Sequence, residues 1–274
     1  MPPQADAAAN TLTHTLQQAR KALRLSQLEL SMRIGVSQRH LSFVESGRAR
    51  PSRELLLAWL DELNLPLVAR NAAMLQAGFA PVYRATPLHD PALAQASDAL
   101  VRLLDAHDPM PAMMLDSAWN ILRMNRGGRW LAETLLPWVG DLPVDGPVNM
   151  IDLLTHPEGF TRHMLNLDEV GPTLLAHLRE DAAAQSAISP KADAFAALLC
   201  ERLGSNPAHG HASASPIATP VLTTRFATPY GELAFFSMFT SFGKPQDITL
   251  ASLRVEHMFA ADARTAEVLR ERVG

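Results

Sequence analysis

Apolar residues recur along this chain at two different periods, and the change of period divides it. From Leu12 to Gly78 the spacing is three to four residues, one face of an α-helix. Leu12, Leu16, Ala19 and Leu23 predict a helix over 13–25. Leu28, Leu30 and Ile34 give a short second helix its buried side. Gly35 permits a turn that most residues resist, and Ser37 can cap a third helix by accepting from its free N–H groups. On that helix Leu41 and Val44 face inward, leaving Gln38, Arg39, His40 and Ser42 outward. Gly47 ends it, and Arg48, Arg50 and Arg53 follow. Ser52 caps a fourth helix striped by Leu55, Leu56, Trp59 and Leu63. Pro66 begins a fifth, over 67–76, closed by Gly78. Residues 1–10 read as a disordered tail, so 11–78 is predicted as an all-α unit of five helices.

Residues 79–91 hold three prolines and read as a linker. Over 92–274 helical periods alternate with strands. Helices are expected over 91–106, 125–136, 150–154, 158–166 and 172–185, the last with Pro172 in its first turn. Pro190 opens another, and Asp262 caps a final one. Strands are expected over 112–115, 119–124, 221–227, 231–242 and 248–259, with loops at 137–147 and 204–216. The prediction is an α+β domain: a five-stranded antiparallel sheet with helices inserted after the second strand, the order of PAS-type sensor domains.

The strand over 231–242 is apolar on both faces. Leu233, Phe235 and Phe239 point one way; Ala234, Phe236, Met238 and Phe242 point the other. Such a sheet must be covered twice. Met113, Leu115, Trp119, Leu122, Met124 and Trp130 offer matching surface. The residues alone leave open whether the second cover is more protein or a small apolar ligand.

Charge is uneven. The chain of 274 residues carries −4 overall, which taken alone argues against nucleic acid. Residues 1–80 hold nine Lys and Arg against six acids, or +3, while the remainder carries −7. A basic head on an acidic body fits a protein whose head alone meets phosphate. The small excess points to a homodimer that doubles the phosphate contacts. Cys200 is the sole cysteine, which excludes an internal disulfide, and its leucine-rich surroundings predict a buried position. No apolar run is long enough for a bilayer and no signal-peptide pattern opens the chain, so a cytoplasmic protein without a membrane partner is expected. Nucleophile-elbow, Walker and Rossmann motifs are absent, so no enzyme is expected. His209 and His211 have no third metal ligand nearby, so no metal site is expected.

The run Gln27, Glu29, Gly35, Val36, Ser37, Leu41, Val44, Glu45, Gly47, Arg48 and Pro51, with the apolar helix from Leu55 to Leu60, resembles the Xre-type helix-turn-helix family over residues 11–77. That resemblance implies double-stranded DNA as partner. Gln27 would touch phosphate, Ser37, Gln38, Arg39 and Ser42 would belong to the recognition helix, and His40, Arg48 and Arg50 lie beside them. A dimer of such heads reads an inverted-repeat operator.

A second resemblance covers residues 92–273. Met110–Ala112, Leu115–Asp116, Trp119–Leu122, Asn125, Asn149–Leu154, His156–Pro157, Leu174–Arg179, Phe242–Gly243 and Asp247–Leu250 are similar to the ligand-binding domain of MmyB-like transcription regulators. It implies a PAS-like fold that takes a fatty acid or similar molecule as effector, with no other cofactor. Met113, Leu115, Trp119, Leu122, Trp130, Phe235 and Phe239 are the expected lining. A carboxylate end would need a cation, for which Arg123, Arg225 and Arg254 are candidates. The expectation is a ligand-responsive transcription regulator; the alternative is a DNA-binding regulator whose body only dimerises or docks a partner.

Overall fold

A computed structural model describes residues 4–138, 148–204 and 221–274. Most of both expected loops, with His209 and His211, lies outside the described residues. The chain forms two compact units. One runs to Asp90 and includes Gly243–Ala251; the other comprises Pro91–Phe242 and Ser252–Gly274.

The first unit has five helices: α1 Gln4–Ala22, α2 Gln27–Arg33, α3 Gln38–Glu45, α4 Arg53–Glu62 and α5 Leu67–Gln76. Helix α1 starts at Gln4, inside the stretch expected to be a tail. Ser26 and Glu29 form a capping box at α2: Ser26 Oγ accepts from the Glu29 amide at 3.1 Å and the Glu29 carboxylate from the Ser26 amide at 2.8 Å. Gly35 turns the chain at φ 72°. Ser37 and Ser52 cap α3 and α4 as expected, accepting from His40 N and Leu55 N, each at 3.2 Å. Leu16, Leu30, Leu41, Leu56, Trp59 and Met74 are buried together. Leu28 is a correction, being 51% exposed. It lies two residues from Leu30, half a turn away, and Ser31 takes the inward position instead. Leu23 is exposed because α1 has already ended.

A buried ion pair joins these helices. Arg20 on α1 donates through Nε and Nη2 to both oxygens of Glu45 on α3, at 2.7 and 2.9 Å. Gln27 on α2 donates to Glu45 Oε2 at 2.8 Å, and Arg20 Nη1 donates to Leu25 O at 2.7 Å. The hydrogen bonds that Arg20 donates to Glu45 raise its pKa.

The linker stays with this unit. Asn71 accepts from the amides of Val82 and Tyr83 and donates to Tyr83 O, and Arg70 bonds the Tyr83 hydroxyl. Farther on, Ile248 N donates to Arg84 O at 2.7 Å and the Asp247 carboxylate accepts from Thr86 N at 3.2 Å. Asp247 also accepts from Thr249 N at 2.8 Å. These bonds start a helical turn where a strand was expected.

The second unit runs α6 Ala94–Asp105, β1 Ala112–Leu115, β2 Asn120–Met124, α7 Arg126–Leu135, β3 Val148–Asn149, α8 Met150–Thr155, α9 Phe160–His163, α10 Leu167–Ala184, α11 Ser189–Leu203, β4 Thr223–Thr228, β5 Gly231–Ser241, β6 Arg254–Ala260 and α13 Ala263–Val273, with α12 Ile248–Ser252 the turn just described. The sheet has six strands in the order β3-β2-β1-β6-β5-β4, all antiparallel, the two-residue β3 being the addition to the expected five. Strand β6 is shorter than expected because α12 takes its first residues.

Helix boundaries shift for identifiable reasons. Met164 bridges to Phe226 on β4, so the helix expected over 158–166 shrinks to α9. Helix α10 starts at Leu167 and carries Pro172 inside, beside Gly171, where a Cβ would lie 2.6 Å from Leu199 on α11. Cys200 is exposed, against expectation: α11 buries Ala192, Phe195 and Leu199, and Cys200 stands off that stripe.

Asn125 ties α6, β1 and α7 together. Its Oδ1 accepts from Ala112 N and Gly128 N, each at 2.8 Å, and its Nδ2 donates to Met110 O at 2.8 Å and Leu104 O at 3.2 Å. Gly127 follows because a Cβ there would collide with the carbonyls of Pro109 and Met110.

Removing Glu45 leaves the Arg20 guanidinium buried without its partner. Glu45→Ala should cost the first unit about 3 kcal/mol, the scale for breaking a buried ion pair from one side. A urea titration followed by Trp59 fluorescence reads this; an unchanged midpoint would show the pair to be dispensable.

Candidate DNA-binding face and ligand cavity

Helix α3 presents Gln38 and Arg39 fully outward, with His40 and Ser42 half-buried beside them. The Arg39 guanidinium lies over the Phe43 ring at 5.3 Å, which orients it along the helix. Ser37 uses its hydroxyl as the cap. Arg48 and Arg50 are exposed past the C-terminus of α3. Gln27 is held by Glu45 and so is fixed next to the start of α2. These eight side chains were expected at the DNA face, and six of them (Gln38, Arg39, His40, Ser42, Arg48, Arg50) lie on α3 or just after it.

The cavity in the second unit occupies about 260 Å³ between the sheet and helices α7–α10. Strand alternation builds one wall: Ser237 and Phe239 on β5 face the same way as Glu256 and Met258 on β6, and Met113 on β1 stands opposite Glu256. Leu131, Met150, Leu154, Phe160, Leu174 and His177 come from the helices. The volume falls just below the ~300–1,000 Å³ usual for small-molecule sites.

Trp119 forms one corner in a left-handed conformation, φ 66°. The turn before it is closely determined: the Asp116 carboxylate accepts from Ala118 N, Asn120 N and Asn120 Nδ2. The indole Nε1 donates to Asp181 at 2.7 Å. Arg254 donates to the same Asp181 oxygen at 2.8 Å, with its guanidinium 4.1 Å from the centre of the Trp119 ring.

Of the seven expected lining residues, Met113, Trp119 and Phe239 line the cavity. Leu115 and Phe235 are fully buried in the core and Trp130 packs on Tyr230. Leu122 is displaced by a bulge. Met114 pairs with Arg123 and Leu115 with Ile121, so Leu122 is the extra residue and is 41% exposed. None of the three candidate arginines is in the lining. Arg123 is exposed, Arg225 pairs with Glu232, and Arg254 pairs with Asp181.

Glu256 was not anticipated. Burial raises its pKa, opposed by a 2.7 Å hydrogen bond from Ser237 and by the charge of Arg254. Its signal in the sequence is an acid two residues from Arg254, on the strand face that also carries Met258 and Ala260. Across the sheet, His257 is buried with its pKa lowered, by desolvation and by His107, whose ring meets it edge-on at 4.9 Å. Among the described residues no group of three or more His, Cys, Asp or Glu side chains could hold a metal ion. Nor is any described helix long and apolar enough to cross a membrane.

A helical unit with an exposed, capped recognition helix, followed by an α+β domain with an apolar cavity, defines a DNA-binding protein with a ligand-binding body. Comparison with known families agrees. Residues 96–271 match the MmyB-like transcription regulator ligand binding domain and residues 16–69 match a helix-turn-helix family. The chain belongs to the MmyB-like transcription regulators, with an Xre-type helix-turn-helix at its N-terminal end. These are regulatory, DNA-binding and ligand-binding domains. No match was found among curated proteins. A solved structure of an RNA-binding light-oxygen-voltage receptor aligns at 15% identity over 98% of this chain and 62% of its own length, with a TM-score of 0.24, too low to argue a shared fold.

The raised pKa of Glu256 has a stability consequence with a definite sign. As pH rises through the ordinary carboxylate range, the unfolded chain releases this proton first and the folded state loses stability. Glu256→Gln has no proton to lose. It should melt with the parent near pH ~4 and above the parent at pH ~8, where only the parent's folding must take up a proton or bury a charge. Equal melting temperatures at both pH values would show the carboxyl to be at ease when charged.

Proposed function

We propose that this protein binds operator DNA as a homodimer through α3 and that a fatty acid or similar lipid-like molecule in the cavity modulates that binding. The observation that carries the reading is the apolar cavity of about 260 Å³ in the ligand-binding domain of a chain that also holds a recognition helix. The operator is an inverted repeat, since one head offers few phosphate contacts and two recognition helices reach half-sites about 34–36 Å apart. The reading needs no cofactor other than the effector and places the protein in the cytoplasm, with neither membrane nor enzymatic chemistry. The effector acts by preferring one of two states of the dimer.

On DNA, Gln38 reads base edges and Arg48 contacts phosphate. Gln38→Ala should lower affinity for the operator by about 1–3 kcal/mol with little change on a scrambled duplex. Arg48→Ala should weaken both alike. A gel-shift series on the two duplexes separates these outcomes; equal losses for Gln38→Ala would remove it from the readers.

For the ligand, each methylene buried contributes about 0.8 kcal/mol, so affinity should rise about fourfold per carbon until the cavity is full. Native mass spectrometry of the purified protein and titration with saturated fatty acids of increasing length measure this, with operator affinity followed in parallel. Acids that bind without changing operator affinity would mean that the body does not sense them. If none binds, the body only dimerises or docks a partner.

A further inference from the structure

We infer that Arg254 receives the polar head of the ligand in this cavity and that the head is a carboxylate, held by both oxygens on the Nε and Nη2 edge of the guanidinium. The inference rests on the ligand-responsive reading above and names the anchor and head group. Arg254 alternates on β6 with Glu256 and Met258, so its side chain leaves the sheet on the face that bounds the cavity. It stands behind two residues of the lining: its guanidinium is 4.1 Å from the centre of the Trp119 ring and 5.6 Å from that of Phe239. Asp181 occupies only Nη1, at 2.8 Å. Nε and Nη2 are buried, and among the described residues neither has a hydrogen-bond partner. Buried donors without acceptors are costly. Arg20, in the first unit, shows what this edge takes: the same two nitrogens hold both oxygens of Glu45 at 2.7 and 2.9 Å.

A carboxylate fits this edge in direction and in charge. The Nε–H and one Nη2–H point the same way and match two oxygens side by side, whereas an alcohol or an ester carbonyl brings one acceptor. Asp181 does not use up the cation, because its carboxylate also accepts from the Trp119 indole at 2.7 Å and its side chain is 32% exposed. Glu256 lies two residues along the same face and opposes a second anion. Its partner Ser237 is exposed and Glu256 itself is half-buried, so water weakens that repulsion. Two charge-assisted bonds at a desolvated edge outweigh it. Phe239, 51% exposed at the incompletely covered end of β5, is the side of the screen that turns aside to admit the head. The chain of the ligand then runs along Met113 and Met258.

Four probes of one alkyl length test the head group: decanoate, methyl decanoate, 1-decanol and decylamine, titrated calorimetrically into the full-length protein at pH ~8. Decanoate should bind about tenfold more tightly than the ester or the alcohol, with decylamine weakest. Arg254→Gln should remove that preference while 1-decanol stays within about twofold of its parent affinity. Arg254→Lys keeps a charge beside Asp181 but not the fork, and should lose most of the preference. Asp181→Asn separates an anchor from a brace. It keeps an acceptor for the Trp119 indole and leaves the cation unshared, so decanoate should bind severalfold more tightly. If Arg254 only braces Asp181 and Trp119, the same change weakens all probes alike. The inference is overturned if decanoate binds no better than the ester and the alcohol, if its advantage survives both Arg254 variants, or if Asp181→Asn weakens it along with the others. In each of these cases the sensor reading stands. If none of the four binds, that reading fails and this inference with it.

Discussion

The antiparallel sheet of the second unit is apolar on both faces, and the arrangement around it answers the need to cover it. On the outer face α6 lies against β1, and His107 at its end meets His257 and Phe259. On the inner face α7 to α11 and α13 bring Leu131, Leu135, Ile151, Leu175, Phe195 and Leu269 onto Leu115, Leu233 and Phe235. Among the described residues that inner cover is complete toward the start of β5, where Leu233 and Phe235 are fully buried, and incomplete toward its end, where Ser237 and Phe239 face the cavity. The cavity is thus the part of a two-sided sheet that its own helices leave unfilled.

The helical unit solves a different problem. A recognition helix of eight residues is too short to hold itself together and must be fixed by its neighbours. Leu41 and Val44 anchor one side, and Glu45 at its last position gathers Arg20 from α1 and Gln27 from α2. The residues that face outward can then be chosen for what they touch, because none of them is needed to hold the helix in place. Gln27 serves the interior by this bond while standing at the edge of the face expected to meet phosphate.

Most of the fold was legible. The capped helices of the first unit and strands β1, β2, β4 and β5 lie within two residues of their expected bounds, because serine caps, glycine turns and alternation are local signals. What escaped was set by distant contacts. Leu122 was expected in the lining, and a bulge formed against β1 turned it outward. The strand expected from Ile248 became a helical turn because Asp247 captures amides of its own neighbour and of Thr86, far away in sequence. The lining was half legible for the same reason: alternation on β5 and β6 can be read from the chain, but the helices that close over it are known only once the sheet exists. Glu256 was overlooked because a polar residue in a strand reads as solvated until its partners are placed.

One bond pattern bears on how the molecule could be taken apart. The segment Gly243–Ala251 leaves β5, meets Arg84 and Thr86, and returns to start β6. The backbone therefore passes between the two units three times, at Asp90–Pro91, Phe242–Gly243 and Ala251–Ser252. A fragment ending at Asp90 would lack the carboxylate and amide that satisfy Thr86 N and Arg84 O, and the remaining chain would keep a nine-residue excursion without these two partners. Excision at the linker thus yields two incomplete pieces, and a chimera that transplants this helix-turn-helix onto another body must carry the excursion along with it.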